Sequence, residues 1–372
     1  MYFVQFSNHV AEQTVRLDLS TFYPFLAALA EMDHMNSAKP IHPALLHKVL
    51  NNVNPGTRPY ELLDGSAAKL LVLGDEMPQR AIRDPNSMEW WPSAMTIKVL
   101  SKMRRRIIRE GYALQICLAI CTALVSEMYM SPVGDEARHK RYRLRYRTSS
   151  ITDFGICNGS ANVKNQDKLA YWFPDGELRK GQDPDDHYWM YFKTSRGEEF
   201  ILDCAMFTFN FCMVAVTDAY LPFELSFLCP FAPVYFEDRF IQKIRSSVRG
   251  DALHKERRRV SILRNPRMHE LLKTGEFTPE PMAQLCELME EIAGRKCTPV
   301  EHQLVEQWAK ENSFRLACCL DDESYKRFPS EPQLAIEQDP GELDKMDDGV
   351  EDWKNTMKRW KRENKTKKAL CD

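Results

Sequence analysis

The sequence predicts an α+β fold, with a buried central helix on an antiparallel sheet between helical N- and C-terminal regions. Three observations predict it. Apolar residues recur at helical spacing in the first and last thirds of the chain. Between about 141 and 236 they alternate with period two or gather in aromatic, β-prone runs. At the junction, Gly111 to Ser126 carries no charge and reads as a helix that must be mostly buried.

Residues 1–92 read as mostly helical, broken by proline-rich loops. Leu45, Leu46, Val49 and Leu50 form an apolar helical face over Pro43 to Val53, and NPGTRP (Asn54–Pro59) is a turn signal. Arg83 to Pro92 is another loop. Ser93 is placed to cap a helix running to about Arg109, with Ile97, Leu100, Met103 and Ile107 on one face. Arg104, Arg105 and Arg106 are consecutive, so they fan over more than half of the helix circumference and read first as a solvated face. Gly111 breaks this helix, and the uncharged one follows from Tyr112 to about Tyr129.

The period changes at Arg141. Tyr142, Leu144 and Tyr146 alternate with arginines, which predicts a half-buried strand. Asp153 to Lys168 reads as a loop, and another strand begins at Leu169. His187–Phe192 and Phe200–Cys204 flank a segment containing Gly197, which predicts a β-hairpin. A β-rich stretch then runs to about Phe236. Further on, Met282, Leu285, Leu288, Met289 and Ile292 form a helical face ended by Gly294. Thr298, Pro299 and Glu301 make a capping box for the next helix, so the two form an antiparallel hairpin. After Pro329 an acidic run, Glu337–Asp352, precedes a basic one, Lys354–Lys368. Trp353, Met357 and Trp360 share a helical face there, as in a docking helix. The expected organisation is a helical region 1–92, an α+β core 93–240, a helical region 241–329, and an acidic linker with a basic amphipathic helix at 330–372.

Lys and Arg number 51 against 53 Asp and Glu, a net charge of −2, which argues against a dedicated nucleic-acid coat. The 11 cysteines are odd in number and include Cys117, Cys121, Cys212 and Cys229 inside apolar runs. Reduced, buried thiols in a cytoplasmic protein are expected, a nuclear location staying open. The first twenty residues lack a basic stretch followed by an apolar core, so no signal peptide is expected. Gly111–Ser126 and Ala205–Thr217 fall short of the roughly 18 apolar residues of a spanning helix, and no membrane partner is expected.

One hairpin carries most of the chemistry. A register with His187 opposite Asp203 puts both side chains on one sheet face at the open end. A carboxylate beside an imidazole fixes its tautomer and stabilises its protonated form, which is half of a nucleophilic site. On the pattern His187 … Gly197 … Asp203, preceded by a helix and a strand, the segment from about Glu110 to Phe209 resembles the transglutaminase-like branch of the papain-like cysteine enzyme fold. That resemblance implies a nucleophilic cysteine near the start of the preceding helix, in EGYALQICLAICTAL. Aligning Gly111 with the family glycine puts Ala113 at the nucleophile position; sliding four residues puts Cys117 there. The resemblance then implies acyl transfer or amide hydrolysis on a protein or peptide substrate. On that resemblance Cys117 would be the nucleophile, His187 the base, Asp203 its orienter and Gln115 a candidate oxyanion donor. Cys121 reads as core and Cys157 lies outside the family order.

The alternatives are a catalytically inactive interaction or scaffold protein on the same fold, and a nucleic-acid binder using Arg104–Arg106 with Lys255–Arg259. Without an aromatic platform the last is disfavoured. No metal or cofactor is expected. Cys286, Cys297, His302 and Cys318 have no zinc spacing, Asp183, Asp185 and Asp186 read as solvated loop carboxylates, and no nucleotide-binding glycine motif occurs.

Overall fold

The computed structural model describes residues 13–130, 140–237, 253–273 and 277–337. Strand β1 (Gln13–Asp18) ends at an aspartate that caps the first helix, α1 (Leu19–His34). The Asp18 carboxylate accepts from the Ser20 backbone N–H at 3.1 Å. A 3-10 turn (Pro43–Leu46) leads into β2 (His47–Val49), followed by β3 (Tyr60–Glu61), β4 (Ala67–Glu76) and the short α2 (Gln79–Arg83). The mostly helical expectation for 1–92 is therefore corrected. The Val49 and Leu50 amides donate to the carbonyls of Trp90 and Val72, so long-range partners replace the i−4 carbonyls of a helix.

Helix α3 (Ile97–Ile108) starts at Thr96, whose side chain accepts from Val99 N–H; the Ser93 hydroxyl instead donates to the Asn51 carbonyl. The arginine triplet is neither a solvated face nor a free basic patch. Arg104 and Arg106 are buried, donating to the backbone carbonyls of Ile82 and of Thr208 and Asp167. Arg105 makes two 2.6 Å bonds to the Glu337 carboxylate. This removes Arg104 and Arg106 from the expected basic surface.

Gly111 and Tyr112 both adopt positive φ, 76° and 62°, and this sharp corner turns the chain into α4 (Ala113–Leu124). Every residue of α4 is buried, and the helix continues as one wide turn over Val125–Tyr129. Among the described residues no single helix is long and apolar enough to cross a membrane. The α3–α4 pair reaches that length together, but it is bent by 71°.

The strands follow: β5 (Lys140–Tyr146), β6 (Ser149–Ala161), β7 (Leu169–Trp172), β8 (Leu178–Lys180), β9 (His187–Thr194), β10 (Glu199–Asp203) and β11 (Met213–Val216). A short helix α5 (Phe223–Leu228) precedes β12 (Phe231–Pro233), β13 (Tyr235–Glu237) and β14 (His254–Ser261). Two expectations change here. The loop from Asp153 is the second half of β6, and the helical region from 241 contains β14. Gly155 and Gly159, which suggested a loop, are what lets β14 approach. A Cβ on either would fall 2.1 Å from a β14 carbonyl oxygen, that of Val260 or Lys255.

The described residues close with α6 (Pro266–Leu271), α7 (Pro279–Ala293), α8 (Pro299–Asp321) and β15 (Leu334–Ile336). The α7–α8 hairpin has the expected form: Gly294 takes φ 69° at the end of α7, and Thr298 and Glu301 form the capping box of α8. The Trp353–Trp360 segment lies outside the described residues.

The largest sheet runs β1-β5-β6-β9-β10-β13, with β14 also paired to the long β6. β1 joins β5 in parallel and β4 joins β7 in parallel, so strands from both sides of residue 92 share sheets. One face of the large sheet packs against α4. Phe154, Ile156, Met190, Phe192 and Leu202 belong to the same apolar core as α4, α1, α7 and α8. The architecture is α+β.

Candidate metal centre

The other face of that sheet carries the polar chemistry. Strand β9 alternates: Tyr188, Met190 and Phe192 join the α4 core, while Trp189 and Tyr191 join a separate cluster with Cys157. His187 shares the parity of Trp189 and therefore the face away from α4. The β9–β10 register pairs Phe200 with Phe192 and Leu202 with Met190. Asp203 thus falls opposite Trp189, two residues from the expected partner. A two-residue slip preserves side-chain parity, so Asp203 still shares a face with His187, as a diagonal neighbour. The ring reaches across: His187 Nε2 lies 2.6 Å from Asp203 Oδ2. Asp203 ends its strand in a turn in which its Oδ1 accepts from the Ala205 N–H at 2.8 Å.

A third ligand-type residue completes the group. His254 begins β14 opposite Ala161, and its Nε2 lies 2.7 Å from the same Asp203 Oδ2. Sequence reasoning missed it. The alternation of β14 is interrupted by a bulge between Glu256 and Arg258, so inward positions change phase partway along. The basic run over Lys255–Arg259 therefore read as a surface cluster, not a strand. The remaining sequence signal is His254 itself at the head of that run.

The three side chains are dry, with 0%, 0% and 2% exposure for His187, Asp203 and His254. Aromatic rings wall them in. His187 stands 5.6 Å from Phe209 and 5.9 Å from Trp189; His254 stands 4.8 Å from Trp189 and 5.4 Å from Tyr235. Gly159 is the keystone of this wall, since a Cβ there would lie 2.9 Å from the Trp189 ring.

Burial pushes the Asp203 carboxyl up, but the charge of His187 and the hydrogen bonds from both imidazoles outweigh it, leaving Asp203 well below the usual carboxylate range. It is an anion in the interior. Two imidazole nitrogens and one carboxylate oxygen lie within 4.8 Å of one another, and among the described residues no other His, Cys, Asp or Glu group converges this way. Neither Nδ1 atom has a hydrogen-bond partner, although both are buried. The protein alone does not satisfy the group.

The expected nucleophile is not brought to this site. Cys117 belongs to the α4 core with Met190 and Phe192, whereas His187 has the opposite parity on β9. The vacant Nδ1 of His187 confirms that no sulfur bonds to the ring. Burial pushes the Cys117 thiol well up, with the nearby Cys121, Cys204 and Asp203 adding in the same direction. Such a thiol is the opposite of an activated one. Gln115 donates to Glu301 Oε1 at 3.0 Å, tying α4 to the cap of α8. Ala113 is buried at the start of α4.

The remaining sequence candidates lie apart from the centre. Asp183 and Asp186 hold loop turns, Asp183 accepting from the Asp185 N–H and Asp186 from the Asn158 amide. Lys255, Arg257 and Arg258 are exposed on β14, with Arg257 and Arg258 bonded to the carbonyls of Asp185 and Glu291, and Arg259 is held by Glu199 and Glu256.

Comparison with known proteins finds no matching family model, no matching curated protein and no matching solved structure.

Proposed function

We propose that this chain binds one divalent first-row transition metal, zinc in the first instance, through His187, Asp203 and His254. The convergence of two imidazole Nε2 atoms on one carboxylate oxygen, from three strands in a dry, aromatic-walled space, supports the reading most. Two imidazoles and a carboxylate are a common borderline-to-hard donor set for Zn²⁺ or Fe²⁺. Ligand atoms about 2.0–2.1 Å from a tetrahedral ion stand about 3.3 Å apart. The present N···O spacings of 2.6 and 2.7 Å would open by about 0.6 Å to admit it, a small side-chain rotation.

The ion would replace the two Nε2 protons and leave each ring protonated on Nδ1. Three protein donors would leave one position of a tetrahedral ion, which a water would fill. With the ligands fully enclosed, the role that fits is structural: a clasp joining β9, β10 and β14. A papain-like thiol enzyme would instead need Cys117 on the imidazole's side of the sheet. The clasp suits the alternative of a rigid interaction module.

The test is metal content by mass spectrometry after exposure to zinc and gel filtration, for the full chain and for Asp203→Asn and His254→Gln. One equivalent in the wild type and less than a tenth in either variant is expected. Saturation at one hundred times the dissociation constant adds about 2.7 kcal/mol of stability. A folded wild type that takes up no zinc, iron or manganese would leave a purely protein hydrogen-bonded network and end the proposal.

A further inference from the structure

Helix α5 is turned inside out. It buries Ser226 and half-buries Leu225 against the main core, and it presents Phe223, Phe227 and Leu228 to solvent at 81%, 79% and 70% exposure. Phe231, three residues beyond, is 42% exposed at the head of β12. Phe223 and Phe227 are one helical turn apart and so share a face. Single exposed apolar side chains are ordinary, but adjoining aromatic ones on one element mark a surface made to be covered. The rim is acidic, with Asp218 and Glu224 both exposed.

We propose that the chain covers this face with its own C-terminal segment, Trp353 to Trp360. Three observations select that occupant. The described chain leaves off at Glu337 on the sheet that holds Phe231: β15 pairs with β11, which pairs with β12, and Glu337 N–H donates to the Cys212 carbonyl. That sheet is three strands wide, about 10 Å at the usual strand spacing. The intervening residues 338–352 reach roughly 50 Å when extended, so the segment is long enough to arrive. Its sequence supplies the complement. Trp353, Met357 and Trp360 recur at i, i+4 and i+7, and Lys354, Lys358, Arg359, Lys361 and Arg362 flank them. An aromatic and methionine face suits phenylalanine rings, and the basic flank suits the acidic rim. A tether of this length holds the segment at an effective concentration near the millimolar range, so modest contact suffices.

The experiment uses the full chain at micromolar concentration with its mass in solution monitored. A zero-length carbodiimide cross-linker joins lysine to carboxylate only at contact. Products linking Lys354 or Lys358 to Glu224 or Asp218 are expected, at a yield unchanged by tenfold dilution. Phe223→Ser with Phe227→Ser should lower that yield at least tenfold, as should Trp353→Ala with Trp360→Ala. Phe223 and Phe227 lie on the exposed face of α5, and circular dichroism checks that both double variants keep the wild-type fold. Absence of these products overturns the proposal. So does a yield that falls on dilution together with loss of a dimer, which assigns the face to a second copy. Capture of the wild type by anionic vesicles through Phe223 and Phe227, with the tail cross-link absent, assigns it to a lipid surface.

Discussion

The two faces of the β6–β9–β10 sheet are built from the same strands yet solve different problems. The face toward α4 is apolar throughout, with Phe154, Ile156, Met190, Phe192 and Leu202 closing on a helix buried along its whole length. The opposite face buries an anion between two imidazoles and lines them with Trp189, Tyr235 and Phe209. Both are dry, but only the second gathers two imidazoles around one buried carboxylate oxygen. Burial alone therefore does not tell a core from a site; the convergence of ligand-type side chains on one atom does.

Substitutions on the two faces should separate stability from metal binding. Phe192→Ala, on the helix side, removes a fully buried ring and should cost about 3–5 kcal/mol in urea unfolding. Its metal stoichiometry should stay at one; loss of metal would mean that the two faces are not independent. Asp203→Ala leaves two buried imidazoles without their shared acceptor and should cost about 3 kcal/mol in metal-free protein. Equal melting of the variant with and without zinc completes that contrast, and a zinc-dependent shift there would break it.

Lys39 provides a third kind of polar group, half-buried in its surroundings. It donates to the Ile108 carbonyl beside Arg109 and His34, and burial, with the Arg109 charge, brings its pKa down to about 7. The unfolded chain holds that proton to about pH 10.4, so between these values the unfolded state binds more protons and stability rises with pH. Relative to Lys39→Met, the wild type should gain on the order of 1–2 kcal/mol between pH 7 and 9, read by denaturant midpoints. A flat difference would place the amine in water. The smallest effect belongs to Cys117. Cys117→Ala should cost about 1 kcal/mol, and iodoacetamide at pH 7 should modify Cys117 no faster than global unfolding allows. Rapid labelling there would restore the thiol to the imidazole's side.

Parts of this arrangement were legible because they rest on local chemistry. The corner at Gly111, the uncharged α4 and the Thr298–Glu301 capping box follow from short-range rules. His187 and Asp203 were found despite a two-residue error in register, because parity survives an even slip. Other parts misled. Glycines in β6 read as loop where they admit a neighbouring strand, and the arginines of α3 read as surface where backbone carbonyls receive two of them.

The sequence by itself determined which segments are amphipathic, where α4 begins, and that an imidazole and a carboxylate share a sheet face. These depend on spacing along the chain. Only the tertiary structure decided that Cys117 packs into the α4 core and that His254, 51 residues beyond Asp203, meets that carboxylate. The reason is geometric: a side chain's face is set by local alternation, but its neighbours are set by which strands pair and where a bulge shifts the phase, and neither is written in the spacing.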